Sequence, residues 1–290
     1  MTIKLYIGAH KTATTHIQSV LEANEELLMK NSIRVSTPNR LRPKWIQLFM
    51  EYCHHNRVSN KEELLALSPT RGTWIFSEEN FVGNSYELSQ ASTLYPNILM
   101  RLKCFVALYP KAKIELYFSI RSYETFYRST YLEVVRNRGY LPFNHYYKET
   151  LFQSKSWVNV IEMFSQVIPQ ENITLWCYEE IHHLMPEIIN LMTELNNAKK
   201  LIKNYPIIKT RESLSQKSLE VLASLSSAMS QEESKKIVEV INNKYPLSDK
   251  YPKFIAFDTE KAEQFRIKYQ QDIVNIKNRY PKIKFLKGKY

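Results

Sequence analysis

The segment Ile3–Gln18 constrains this chain more than any other. Ile3, Leu5 and Ile7 sit in a short apolar run that ends at Gly8, and the following loop carries Lys11, Thr12, Thr14 and Thr15. Beyond the loop, Ile17, Val20, Leu21, Leu27 and Leu28 supply an apolar helical face. A buried strand, a tight loop and a helix are therefore expected in succession. The first N–H groups of a helix have no intrahelical partners and lie at its positive dipole end, so an anion is stabilised there. Lys11 adds a full charge and the threonines add hydroxyl donors, which makes the loop a cradle for phosphate or sulfate. It is not the nucleotide P-loop, which places four residues between two glycines and then Gly-Lys-Ser/Thr. Here Lys11 follows Gly8 by only three residues, and Ala13 stands where a second glycine would be expected. A strand-to-helix turn capped by threonines is the plainer alternative.

A second strand–helix unit follows about one hundred residues downstream. Lys113–Ile120 reads as a strand that ends on Arg121, and Ser122 is placed to cap the next helix. Tyr123, Phe126, Tyr127, Tyr131 and Val134 recur at helical spacing. Ser129, eight residues after Arg121, falls about two turns into that helix, where it can face back toward the strand end. An arginine fork binds phosphate oxygens in pairs.

Lys11-x-x-Thr14-Thr15 with Arg121 and Ser129 resembles the two cofactor-binding elements of sulfotransferases that use 3′-phosphoadenosine 5′-phosphosulfate (PAPS). The resemblance implies that Lys11, Thr12, Ala13, Thr14 and Thr15 hold the 5′-phosphosulfate and that Arg121 and Ser129 hold the 3′-phosphate. Many members of the family have glycine at the position of Ala13. Ser77-Glu78, after the strand Thr73–Phe76, resembles an element of bacterial members that sulfate carbohydrates. Asn172–Glu180 resembles the strand whose terminal tyrosine, here Tyr178, lies near the adenine, and Arg211–Ser215 is similar to a polar segment near the cofactor. The matches span residues 3 to about 215, so residues 1–212 are expected to form the PAPS-binding core and residues 213–290 a helical region packed on it.

Strands near 3–9, 33–36, 73–77, 113–120 and 172–177 alternate with helices near 14–30, 44–55, 60–67, 86–108, 122–138, 155–168 and 179–196. Such alternation predicts an α/β fold, a P-loop-like parallel sheet flanked by helices, with a helical C-terminal region. Ligands of these sheets bind beyond the carboxyl ends of the strands. Lys11, Glu78, Arg121 and Tyr178 each follow a predicted strand, so one crevice is expected to gather them. In the C-terminal region Phe265, Tyr269, Ile273 and Ile276 form one stripe.

The reaction implied is sulfuryl transfer from PAPS to a hydroxyl or amine, leaving the 3′,5′-bisphosphate PAP. It rests on in-line positioning and on stabilising charge at the departing oxygen, and it needs no metal. Lys11 is expected at the bridging oxygen. Glu78 is the first candidate for the base that takes the acceptor proton, with Glu79 and His10 as alternatives. The acceptor class implied is a carbohydrate or glycolipid such as lipopolysaccharide or capsule. A P-loop-like kinase for a small molecule and a non-catalytic nucleotide-binding protein are the competing classes.

Other features define the setting. The +11 formal charge suits a polyanionic cofactor, an anionic saccharide or the acidic inner leaflet, although lysine abundance alone can produce it. The lysines are scattered and form no nucleic-acid module, so no nucleic-acid partner is expected. No apolar run reaches the length of a membrane span, and the early strand at 3–9 leads to the expectation of no secretory signal. Cys53, Cys104 and Cys177 form no metal or redox motif, which fits a reducing cytoplasm, with peripheral contact to the inner membrane the further expectation. Adjacent His54-His55 and His182-His183 point about 100° apart on a helix and cannot ligate one ion. Tyr140, Tyr146 and Tyr147 are expected to pack in or around the core, with stacking on a sugar the alternative.

Overall fold

The computed structural model describes residues 1–55, 58–196, 200–201 and 213–288. Its centre is a six-stranded parallel sheet in the order β2-β3-β1-β4-β5-β6. The strands are β1 (Thr2–Tyr6), β2 (Ile33–Ser36), β3 (Thr73–Ser77), β4 (Lys113–Ile120), β5 (Ile173–Cys177) and β6 (Lys284–Phe285). From β1 the chain goes to the edge strand β2, returns to β3 between them, then crosses to β4, β5 and β6 on the other side. The strand order therefore reverses beside β1, where the ends of β1, β3 and β4 open a crevice. Register aligns them: Tyr6 pairs with Ser77 of β3 and with Tyr117 of β4.

Both faces of the sheet are covered, as the expected α/β fold requires. On one face Trp45, Phe49, Trp74, Phe76, Phe81 and Phe105 pack together. On the other, Ile17, Val20 and Leu21 of the helix Thr14–Ala23 meet Tyr6, Trp176 and Ile188. Parallel strands buried on two faces read as near-continuous apolar runs, which is why five of them were visible in the sequence. Lys4 is the exception inside β1. It is 2% exposed, and its ammonium reaches Glu115 at 3.0 Å, Glu194 at 2.6 Å and the Leu191 carbonyl at 2.8 Å.

Several expected elements are divided. The first helix ends at Ala23 and resumes at Glu25–Lys30, because Asn24 turns its side-chain amide onto the Val20 carbonyl at 2.8 Å. The expected helix 86–108 is two helices, Glu87–Gln90 and Ile98–Leu108. Between them Tyr95 takes φ 53° in front of Pro96, a conformation that no helix continues through. The helix Tyr123–Arg138 forms as expected, but Ser122 does not cap it with its side chain; its backbone N–H instead donates to Glu179 Oε1 at 2.9 Å.

After residue 212 the chain forms the helices Gln216–Leu225, Gln231–Lys244 and Thr259–Arg279, then β6. The sheet edge thus comes from residues expected to be helical throughout. A two-residue strand has no periodicity to recognise; Lys284 and Phe285 join the sheet only because β5 presents an open edge. The helix Thr259–Arg279 packs on Tyr123–Arg138 and on Trp157–Ser165. There the buried Asp272 Oδ2 accepts from Tyr123 Oη, from Trp157 N at 2.8 Å and from Ser156 Oγ at 2.9 Å. Tyr146 is buried and its hydroxyl meets Thr130 Oγ1 at 2.6 Å, while Tyr140 and Tyr147 pack against the same core. All three tyrosines serve packing. Among the described residues no helix is long and apolar enough to cross a membrane.

Candidate active site

The loop after β1 is shaped from within. Ile7 and Ala9 extend the strand toward β4 through N–H bonds to Tyr117 and Ser119 carbonyls, both at 3.4 Å. The chain then turns sharply, with Lys11 at φ 62° and Ala13 at φ 60°, ψ 22°. Both are left-handed conformations that a Cβ disfavours by about 1–2 kcal/mol. Thr12 is fully buried and donates its hydroxyl to the Ala9 carbonyl at 2.6 Å, so it braces the loop. Thr14 is buried with its hydroxyl against that of Tyr6, whose pKa burial raises first and foremost. Thr15 is exposed. Of the three threonines expected to cradle an anion, Thr12 therefore spends its hydroxyl on the loop's own shape, while the buried Thr14 hydroxyl makes no hydrogen bond among the described residues. The cradle's donors are the backbone N–H groups at the helix start, Thr14, Thr15 and Lys11.

This loop forms one wall of a cleft of about 890 Å³ over the carboxyl ends of the strands. Lys11 through Thr15, His10, Arg121, Ser129 and Tyr178 all line it, so most of the positions singled out in the sequence converge. Arg211 lies outside the described residues. Arg121 donates from its guanidinium to the Lys11 carbonyl and from Nε to Thr125 Oγ1 at 3.0 Å, and its plane stacks 4.3 Å from the Tyr178 ring centre. Burial lowers its pKa from the ordinary arginine value. Its own carbonyl is held by Trp157 Nε1 at 2.9 Å. Glu179 joins the next residue to the C-terminal region, accepting from Ser122 N and from Tyr269 Oη, each at 2.9 Å.

Glu78 requires correction as the candidate base. It is fully buried and does not line the cleft. Arg42 grips both of its oxygens, Nε to Oε2 at 2.9 Å and a terminal nitrogen to Oε1 at 2.8 Å, and Asn80 N donates to Oε1 at 2.9 Å. Burial first and foremost raises its pKa above the ordinary carboxylate value, and the Arg42 fork opposes that rise without cancelling it. Its neighbour Glu79 is the residue that reaches the cleft, held by Arg42 at 2.7 Å and by Gln18 Nε2 at 3.3 Å.

His10 lines the cleft but is almost fully buried. Its Nε2 faces Asn80 Oδ1 at 3.1 Å, so Nε2 carries the hydrogen, and Nδ1 accepts from Tyr95 Oη at 3.2 Å. Burial first, then the Arg42 charge, lower its pKa against the opposing pull of Glu79, Asn80 and Glu133. A neutral imidazole with both nitrogens engaged is a poor proton acceptor.

Glu133 was absent from the sequence expectations, although it sits four residues beyond Ser129 on the same helical face. It lines the cleft, 29% exposed, with Oε2 3.3 Å from Lys11 Nζ and Oε1 accepting from Asn137 at 3.1 Å. Burial is the largest single influence and raises its pKa, but the Lys11 charge and the hydrogen bonds from Asn137 and Lys11 together outweigh it, and the net shift is downward. Arg42, Arg136 and Arg138 also line the cleft and were not anticipated.

No protein-family model matches the chain, and no curated protein matches it. Among solved structures it is similar to a sulfotransferase from Alicyclobacillus acidocaldarius, with 10% identity over 82% of this chain and 96% of that one and a TM-score of 0.42. It is also similar to retinol dehydratase in complex with androsterone and the inactive cofactor PAP, with 10% identity over 85% of this chain and 81% of that one and a TM-score of 0.37.

Proposed function

We propose that this chain is a PAPS-dependent sulfotransferase that moves a sulfuryl group to a hydroxyl of a carbohydrate or glycoconjugate. The observation that carries the reading is the shared cleft. The Lys11 loop, the fork of Arg121 and Ser129 arrive from two strand–helix units and line one space. The donors present suit the cofactor: a helix start with open N–H groups for a 5′-phosphate, a half-buried arginine for a 3′-phosphate, and Tyr178 as a flat surface for a purine.

PAPS, when bound, supplies an activated sulfuryl group on a phosphate leaving group. The chain's residues do the rest by position and charge. With PAPS bound, Lys11 would leave Glu133 and neutralise the charge developing on the departing phosphate. Glu133, freed from that pairing on the wall of the cleft, would take the proton of the acceptor hydroxyl as the sulfuryl group passes to its oxygen. Arg42 and Gln18 keep Glu79 engaged, and Glu78 acts at a distance by fixing Arg42. Cytoplasmic location, with contact to a membrane surface, is part of the same proposal, as is the division into a cofactor core and a C-terminal region.

Titration calorimetry with PAP and with ATP plus magnesium separates this reading from a kinase. Micromolar PAP binding with no ATP response is expected, together with PAPS turnover that Lys11→Ala abolishes while the fold is retained. ATP binding that depends on magnesium, or normal turnover by folded Lys11→Ala, overturns the reading.

A further inference from the structure

We infer that the end of the cleft beyond Glu133 is a subsite for a negatively charged group on the acceptor, a carboxylate or phosphate carried about one sugar ring from the reacting hydroxyl. The inference rests on the sulfuryl-transfer reading.

The helix Tyr123–Arg138 runs along the cleft and acts as a ruler. Ser129, Glu133, Arg136 and Asn137 are spaced three and four apart, so they share a face, and all four line the cleft. Each turn advances about 5.4 Å. Ser129 belongs to the cofactor end. Glu133, paired with Lys11, lies one turn farther on, where transfer would occur. Arg136 and Arg138 lie about one turn beyond that, past any part of the cofactor that Arg121 and the cradle would hold.

The far end is equipped for an anion. Five cationic side chains line the cleft against two carboxylates, and those two are taken by Arg42 and Lys11. Arg121 is committed to the cofactor end. Arg136 lies 3.5 Å from Glu239. Arg138, among the described residues, has no carboxylate within ion-pair distance; its guanidinium carbon lies over the ring of Tyr86, 3.9 Å from the ring centre. Tyr86 comes from the segment after β3, which crosses to this end of the helix. A guanidinium stacked by one face keeps its N–H groups in the plane and open at the edge, the geometry that binds carboxylate or phosphate oxygens in pairs.

The position of Arg138 is enforced by the backbone. Gly139, at φ 93°, ends the helix, and a Cβ there would lie 2.0 Å from the Gln231 carbonyl oxygen. The chain must therefore turn away against the helix Gln231–Lys244, leaving Arg138 as the last helical side chain at the rim. A cation at a helix C-terminus is also favoured by the dipole, but that role alone requires neither the stacking nor the cleft.

The test uses the protein loaded with PAP, so that the cradle is filled and cannot itself report an anion. Glucuronate, glucose 6-phosphate and glucose are titrated by calorimetry into wild type and Arg138→Ala. At least one anionic probe is expected to bind tenfold or more tighter than glucose, as a charge-assisted contact implies. The better of the two identifies carboxylate or phosphate as the group recognised. Arg138→Ala should remove most of that advantage while PAP affinity is unchanged, and Arg138→Lys should keep part of it. Anionic probes that bind no better than glucose, or not at all, overturn the inference, as does a preference that survives in Arg138→Ala. Failure of PAP itself to bind removes the underlying reading, and the inference with it.

Discussion

Replacing Arg121 by alanine is the perturbation whose consequence the structure defines most closely. Its guanidinium is stacked on Tyr178 at 4.3 Å and lines the cleft beside the cradle. A hydrogen bond to a charged group contributes about 1.5–3 kcal/mol. Losing a two-pronged contact to a 3′-phosphate, less the solvent that refills the space, gives about 3 kcal/mol, or a PAP dissociation constant raised roughly a hundredfold. Arg121 also donates to the carbonyl of Lys11, a residue at φ 62°, so its loss loosens the cradle itself. The two effects separate by ligand. AMP lacks the 3′-phosphate and should lose only what the loosened cradle costs, a factor of a few. Arg121→Lys keeps the charge without the fork and should fall between wild type and alanine. Calorimetry at about 0.15 M salt keeps distant electrostatics screened. Equal losses for PAP and AMP would show that Arg121 only braces the loop, and a PAP affinity within threefold of wild type would refute the assignment.

Four other outcomes are expected. Glu133→Gln should lower kcat by about a hundredfold or more with PAP affinity retained, as for loss of a general base; Glu78→Gln should instead lower stability by about 1–3 kcal/mol in denaturant melts, because it weakens a buried fork to Arg42. Unaltered stability with turnover lost in Glu78→Gln would return the base to Glu78. Ala13→Gly should raise stability by about 1 kcal/mol, and Tm by about 2–4 °C, because glycine accepts the φ 60° that alanine resists; an unchanged or lower Tm argues against strain there. His10, buried and lowered in pKa, stays neutral when the unfolded chain begins to protonate its histidine near pH 6.5. The stability that His10 contributes is thus complete above pH 6.5 and declines as pH falls below it, and the slope should flatten in His10→Gln.

Much of the molecule follows from local pattern. Five strands were legible because each is a short apolar run between turn residues, and parallel burial demands such runs. A parallel sheet places every strand end on one side, so Lys11, Arg121 and Tyr178 had to meet once the strands were recognised. The eight-residue interval from Arg121 to Ser129 fixed their relation because a helix is a rigid ruler, and the same ruler leads on to Glu133. The lysine, the positive end of the helix and the arginine fork are chemical properties of residues in the loops themselves, so the anion-binding character of the cleft was available without coordinates.

Packing between distant segments decided the rest. Glu78 and Glu79 are indistinguishable in sequence, yet the first turns inward to Arg42 and the second reaches the cleft. Which one faces inward depends on where Arg42 arrives from another element, and nothing near either glutamate encodes that. Lys11 and Glu133 are 122 residues apart and meet because the helix after β4 lies beside the loop after β1. Thr12 has the right chemistry for a ligand, but a loop holding two left-handed residues uses its hydroxyl for its own closure. β6 exists because β5 leaves an edge open, and Tyr95 breaks a helix in front of a proline to reach His10. Local sequence sets backbone conformation and the chemistry available at each turn. The pairing of side chains that are far apart in the chain depends on strand order and helix packing, which are properties of the whole sheet.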